Sequence, residues 1–104
     1  MNQLRVFKGR TNVYRLELGI DVSTDDITSQ IRTEPDSNAP LIADFEVTFV
    51  TDGTDGKLDL RIDDVITSQI SETNGWMDIK RVSGGEPIPT FDPIEVVFIG
   101  TVTA

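Results

Sequence analysis

Residues 52–82 constrain the fold of this chain more than any other stretch of the sequence. They read DGTDGKLDLRIDDVITSQISETNGWMDIKRV, a turn, an alternating segment, a short connection, a second turn and another apolar segment. Leu58, Leu60 and Ile62 alternate with charged residues, so that a one-residue slip of register would bury three charges. Because strand side chains point alternately to the two faces, this pattern predicts a half-buried β-strand. The stretch predicts an antiparallel β domain and contains nothing that resembles an active site.

The same period of two recurs along the rest of the chain. It predicts further strands at residues 13–20, 27–33, 45–49 and 76–82. Residues 86–93, EPIPTFDP, hold three prolines and are expected to stay outside any central ladder. No segment keeps the 3.6-residue period over the ten or more residues of a typical helix.

The last segment, IEVVFIGTVT at residues 94–103, is largely apolar on both faces. Two structures fit this composition. The segment is either a central strand covered on both sides or an exposed strand that awaits a partner.

These segments together predict one all-β domain over residues 1–104 with about seven strands. The predicted architecture is an antiparallel β-sandwich of immunoglobulin-like or Greek-key form, and a small barrel is the main competitor. The chain has no cysteine, which excludes the disulfide of antibody domains but not the sandwich itself.

The pentapeptide ITSQI occurs twice, at residues 27–31 and 66–70. The sequences that flank the two copies disagree, so we interpret the repeat as chance similarity. The first copy is expected in a strand and the second in a connecting segment with a helical turn.

The residue types exclude most catalytic chemistry. The chain lacks histidine and cysteine, so Ser-His-Asp and Cys-His arrangements are absent. The adjacent acids Asp25-Asp26 and Asp63-Asp64 are interpreted as solvated turn residues and not as a glycosidase pair. The DG repeat in TDGTDGKLD is typical of a hairpin turn, and its spacing does not match a helical calcium loop. We therefore predict a protein that is not an enzyme and has no catalytic residue, cofactor or metal.

Two aromatic residues are the candidates to contact a ligand such as a sugar. They are Trp76 and Phe91. A tryptophan that opens a strand is more often in the core or at its edge, and this is the expected position of Trp76.

The charge is distributed unevenly along the chain. The net charge is −9, yet the first fifteen residues carry four basic residues and no acid, and the other 89 carry eighteen acids against five bases. Direct nucleic-acid binding needs a basic face that the acidic body lacks. No apolar run approaches membrane-spanning length, and the N-terminus lacks the apolar core of a signal peptide. We expect neither nucleic acid nor a membrane as partner, and the basic first strand could dock on the acidic body of a neighbouring copy.

Several short motifs follow one another along nearly the whole chain. In order they are FKGRTNVYRLEL, QIR, ADFEVTF, DGKLDLRI, VITSQI, Trp76-Met77-Asp78-Ile79 and the closing Val102-Thr103. In this order the sequence resembles the immunoglobulin-like domains of small tailed-phage virion proteins, related to the N-terminal domain of the phage baseplate upper protein. Trp76 stands where tyrosine is usual in that pattern, and EPIPTFDP replaces a simpler polar turn.

The resemblance implies a structural protein of the phage particle, in the tail, baseplate or fibre attachment, assembled in the host cytoplasm. It implies other virion proteins as partners, with a homo-oligomer as one arrangement. The residues expected at an interface are the basic Arg5, Lys8 and Arg10 and the apolar Val96, Val97, Phe98 and Ile99. The first group would give orientation and the second contact area.

Two alternatives remain open. One is a capsid decoration or cement protein, which would bind the shell instead of the tail. The other is a carbohydrate-binding module for host recognition, which predicts that Trp76 or Phe91 is exposed.

Overall fold

The computed structural model describes residues 3–102 of the chain. Strands form 52% of it and helix 4%, which confirms the all-β prediction. The elements are β1 (Gln3–Phe7), β2 (Asn12–Glu17), β3 (Asp26–Arg32), β4 (Leu41–Phe49), β5 (Lys57–Ile62), α1 (Asp64–Thr67), β6 (Asn74–Ser83), β7 (Glu86–Ile88) and β8 (Ile94–Ile99).

The strands form one continuous sheet in the order β1-β8-β6-β3-β4-β5-β2, with β7 paired to β6 off this path. All pairs of neighbours are antiparallel except β1 and β8, which are parallel. The prediction of a purely antiparallel sheet is therefore wrong at this pair. The first and last long strands of the chain come together there, and no local pattern in the sequence encodes that pairing.

Strand β4 turns the sheet into a nearly closed barrel. Its first half, residues 41–45, pairs with β3, and its second half, residues 46–49, pairs with β5. A shift of register between Ile31 and Arg32 accompanies the pairing with β3, and such irregularities bend a strand. The sheet therefore curls until β2, at one end, faces β1 at the other. A sandwich of two separate sheets stays a prediction.

Side chains of β2 bridge the remaining gap between β2 and β1. Asn12 forms two hydrogen bonds with the main chain of Phe7, and the phenol of Tyr14 donates to the carbonyl oxygen of Arg5. Burial raises the pKa of Tyr14 to about 12, and a phenol is a donor at neutral pH even at its ordinary pKa near 10. The outer edge of β1 is thus covered without a backbone ladder.

The core lies inside this curled sheet and draws on nearly every strand. Its buried members include Leu4, Val6, Ile31, Phe45, Leu60, Ile62, Met77, Ile79, Val96 and Phe98. Tyr14 meets Phe45 edge-to-face, with ring centroids 6.1 Å apart. Each such apolar side chain contributes on the order of 1.5–3 kcal/mol when fully buried.

The predicted segments are confirmed with small differences in their bounds. The predicted strand 13–20 ends at Glu17, and the predicted strand 94–103 ends at Ile99, with residue 103 outside the described part of the chain. Of its two alternatives, the central strand fits in part: β8 lies between β1 and β6, but its outer face is only half-buried. The proline-rich segment adds only the three-residue strand β7, at the side of β6.

Candidate functional site

A groove of about 690 Å³ runs across the outer face of β3 and β6. Its floor is made of Thr28, Gln30 and Arg32 from β3 and Trp76, Asp78 and Lys80 from β6. One wall is the loop 34–37 and the other is the segment 87–93.

The alternation of the two strands creates this floor. Ser29 and Ile31 on β3, and Gly75, Met77 and Ile79 on β6, are buried, so that the residues between them face outward. The antiparallel register pairs Thr28 with Lys80, Gln30 with Asp78 and Arg32 with Trp76. The groove therefore follows from two strand sequences and their register.

Gly75 lets the two strands approach closely at the tryptophan end of the groove. A Cβ at this position would lie 2.9 Å from the carbonyl oxygen of Arg32 and 2.9 Å from a methyl group of Ile31. Contacts this short are repulsive, so a larger residue would separate β6 from β3 beside Trp76.

Hydrogen bonds fix the polar side chains on the β3 side of the floor. The Arg32 guanidinium donates to the Ala39 carbonyl at 2.7 Å and to Gln30 Oε1 at 2.8 Å. Gln30 Nε2 in turn donates to Asp44 Oδ1 at 2.9 Å. The side chains of Arg32 and Gln30 are therefore held in place by hydrogen bonds within the protein.

The two predicted ligand candidates, Trp76 and Phe91, both line the groove. Trp76 is half-buried on the outer face, between the core-facing Gly75 and Met77, and is not part of the core or of the residues packed against it, where it was expected. Phe91 is half-buried too, and its ring also packs against the core. The Thr90 hydroxyl donates to the Ile79 carbonyl at 2.8 Å and fastens the wall that carries Phe91 to β6.

The groove is mildly acidic. Arg32 and Lys80 are its basic residues, and Glu34, Asp36, Asp78 and Asp92 are its acids. Acids exceed bases by two, a balance that disfavours anionic ligands.

The predicted interface residues divide into two groups. Val96 and Phe98 are buried in the core, so neither can contact a partner without opening the fold. Val97 and Ile99 alternate with them and face outward, half-buried, next to Arg5 and Phe7 of β1.

The basic residues predicted for that interface lie on β1 and in the turn that follows it. Arg5 is exposed, whereas Lys8 and Arg10 are half-buried in the turn after β1. The Thr67 hydroxyl accepts from the Arg10 N–H at 3.1 Å and donates to the Arg10 carbonyl at 2.7 Å, and this fixes the turn. We call Arg5, Phe7, Val97 and Ile99 the β1–β8 face.

The acidic turns have structural partners. Asp52 accepts from the N–H and the hydroxyl of Thr54 at 3.0 and 2.6 Å, and these bonds lower the pKa of Asp52. Asp21 makes the same pair of bonds to Ser23, with the same direction of pKa change. These aspartates stabilise turns, as the sequence indicated.

One member of each adjacent acid pair has an ion-pair partner, and the interpretation as a solvated turn residue is wrong for Asp25, whose side chain is 2% exposed. Asp25 forms an ion pair with Arg81, and Asp63 pairs with Arg61 at 2.9 Å. Within residues 3–102, no group of three or more acidic side chains could hold a metal ion.

Comparison with known proteins gives no family: no protein-family model and no curated protein sequence matches this chain. Among the described residues, no helix is long and apolar enough to cross a membrane.

Sequence reasoning missed most of the groove floor. The signal was present in the alternation of TSQIR and WMDIK, which marks Gln30, Arg32, Asp78 and Lys80 as outward-facing. The missing information was the pairing of β3 with β6 and the return of segment 87–93 over them. Phe7 was missed as well, because it lies in a short basic segment.

Proposed function

We propose that this domain is a non-enzymatic structural component of a bacteriophage particle and acts through protein–protein assembly. Its place in the particle would be the tail, the baseplate or a fibre attachment. The sequence resemblance to phage immunoglobulin-like domains supports this proposal, and the β1–β8 face is the structural observation that carries it.

The β1–β8 face combines apolar area with the single positive charge of Arg5, while the acid Glu95 lies on the same side of β8, two residues before Val97. In the parallel register Arg5 is the partner of Val97, and Phe7 is the partner of Ile99. The Phe7 side chain is 42% exposed, which is high for an aromatic residue on a strand. Aromatic residues and arginine are the types enriched in protein interfaces.

The face is rigid, and this favours binding. Leu4, Val6, Val96 and Phe98 anchor the same two strands in the core. Since the backbone is already ordered, association loses little conformational entropy beyond that of the exposed side chains.

Charge identifies the kind of surface that would receive this face. The first fifteen residues carry four basic residues and no acid, whereas the rest of the chain carries −13. An acidic neighbour, either a second copy or another virion protein, would be attracted to Arg5, Lys8 and Arg10. Contact between unlike surfaces of identical copies generates a ring when the rotation between copies closes, and an open filament when it does not.

Gold labelling of intact phage particles that carry the gene for this chain tests its location. An antibody against the purified domain is expected to label the tail. Labelling of the shell would favour the capsid-decoration alternative. Intact particles that stay unlabelled, when the same antibody binds the free domain, would overturn the virion role.

The assembly surface is tested separately by reversing its charge. The triple change Arg5→Glu, Lys8→Glu and Arg10→Glu is expected to abolish particle incorporation or self-association, measured by cosedimentation and analytical ultracentrifugation. Lys57→Glu, on strand β5 and outside the predicted interface, is the control for charge reversal. Incorporation and self-association that survive the triple change would refute the electrostatic contact.

A further inference from the structure

We infer that the groove on β3 and β6 binds a neutral saccharide, with a pyranose ring stacked on Trp76. This inference does not rest on the proposed assembly role, because the groove and the β1–β8 face share no residue. It assigns a ligand class to a site that the assembly role leaves unused.

The position of Trp76 is the first step. An indole costs free energy when it stays in water, but strand alternation puts Trp76 on the face opposite to Met77 and Ile79. Trp76 lies half-buried on the groove floor beside Arg32. The flat apolar face of a sugar ring, made of C–H groups, is a natural partner for an aromatic face in such a position.

The second step is the polar surroundings of the indole. Gln30 and Asp78 face each other across the floor, next to the Arg32–Trp76 pair. Amide, carboxylate and guanidinium groups offer both acceptors and donors to the hydroxyl groups at the rim of a sugar. A few fixed polar groups around an apolar contact are typical of small-ligand sites.

The third step is the size and the wall of the groove. Its volume of about 690 Å³ suits a short oligosaccharide, since ligand sites range from roughly 300 to 1,000 Å³. The far wall presents Phe91 and is tied to β6 through Thr90. Trp76 and Phe91 therefore both line a groove whose far wall is fastened to β6.

Charge selects among saccharides. The acids of the groove outnumber its bases by two. A sulfated or uronic-acid sugar would meet net repulsion, so the geometry favours an uncharged one.

Trp76 is the single tryptophan of the chain, so its fluorescence reports directly on the groove. The first experiment titrates the unmodified chain with maltohexaose, cellohexaose, chitohexaose and mannohexaose. A heparin hexasaccharide forms the anionic arm, and hexalysine forms the basic-peptide arm. At least one neutral oligosaccharide is expected to shift the Trp76 emission and to protect it from acrylamide quenching.

The second experiment measures the affinity of that oligosaccharide for variants by calorimetry. Trp76→Ala is expected to weaken binding on the order of tenfold or more, because it removes the stacked ring. Trp76→Phe should recover part of the affinity, and Asp78→Ala should weaken binding through lost hydrogen bonds. Val13→Ala, an exposed apolar position on β2, is the matched control and should bind like the unmodified chain.

The outcomes separate clearly. Binding that survives Trp76→Ala would overturn the site, and so would a panel in which no neutral oligosaccharide changes the fluorescence. Binding of heparin or hexalysine alone would overturn the ligand class. The first experiment needs no variant, so a substitution that fails to fold cannot rescue the inference. None of these results bears on the assembly test, which changes other residues.

Discussion

The side-chain amide of Asn12 holds the main chain of Phe7 as a neighbouring strand would. The Phe7 N–H donates to Asn12 Oδ1 at 3.0 Å, and Asn12 Nδ2 donates to the Phe7 carbonyl at 3.1 Å. Asn12 is only 8% exposed, so this pairing is shielded from water. One side chain thereby joins β1 to β2 where the sheet lacks a ladder.

Replacing Asn12 should weaken the closure of the sheet. Asn12→Ala is expected to lower the free energy of unfolding by about 1–2 kcal/mol, because two partly buried backbone groups of Phe7 lose their partner. Chemical denaturation monitored by circular dichroism measures this change. Asn38→Ala, at an exposed loop position, should stay within about 0.5 kcal/mol of the unmodified chain. Equal effects of the two substitutions would contradict the bridging role.

The side chain of Thr67 stabilises the turn between β1 and β2 through hydrogen bonds to the main chain, as Asn12 does. Its buried hydroxyl accepts from the Arg10 N–H and donates to the Arg10 carbonyl. Thr67→Val keeps the shape but removes both bonds, and we expect a loss of about 1–3 kcal/mol in unfolding free energy. Thr67→Ser should restore most of it, whereas the exposed Thr48→Val should change little. A Thr67→Ser variant as unstable as Thr67→Val would show that the methyl group matters instead.

The two ITSQI copies show what the sequence could and could not predict. The copy at 27–31 lies in β3, and the copy at 66–70 begins within α1, as their flanking residues predicted. The pentapeptide alone would have predicted the same secondary structure for both copies. In the first copy Ile31 enters the core of the sheet, and in the second Thr67 is buried against the turn at Arg10. Neighbouring elements, not local preference, decide between the two structures.

The strands were predictable because their alternation is local, but the site was not. Trp76 and Phe91 were candidates from residue type alone, and their meeting in one groove depends on the return of segment 87–93. The outward position of Phe7 beside Ile99 depends on the parallel pair of β1 and β8. Pairings between distant parts of the chain leave no periodic signal in the sequence. Val96 and Phe98 were expected at an interface, and their burial also depends on the pairing of β8 with strands from distant parts of the chain.

The ion pair of Asp25 with Arg81 makes stability depend on pH. The side chains of Asp25 and Arg81 are only 2% and 15% exposed, and the hydrogen bond from Arg81 lowers the pKa of Asp25. A carboxyl whose pKa is lower in the folded state stabilises the fold above its ordinary pKa, near 3.9. That contribution is lost as the pH falls through the lower folded-state value.

Asp25→Asn is therefore expected to be less stable than the unmodified chain at pH 7. The difference should shrink as the pH falls below about 4, where the native carboxyl also becomes protonated. Thermal unfolding from pH 7 down to pH 2 measures it. Asp63→Asn, which removes the exposed pair with Arg61, is the control and should have a small effect throughout. A difference for Asp25→Asn that does not change with pH would contradict the ion-pair explanation.

Gly56 and Gly9 form a matched pair for separating backbone strain from steric clash. Both have positive φ, +72° and +73°, but a Cβ at Gly56 would lie 2.5 Å from the Ile20 carbonyl oxygen, whereas at Gly9 it would meet no atom within 4 Å. Gly9→Ala is expected to cost about 1 kcal/mol, from the left-handed backbone alone. Gly56→Ala should cost several times more, because the contact is with backbone and the loop at Ile20 must move. Denaturant unfolding of both variants measures the two costs. Similar costs for the two variants would mean that the turn at residues 52–56 can relax. The close contact of this turn with Ile20 would then not hold the end of β2 in place.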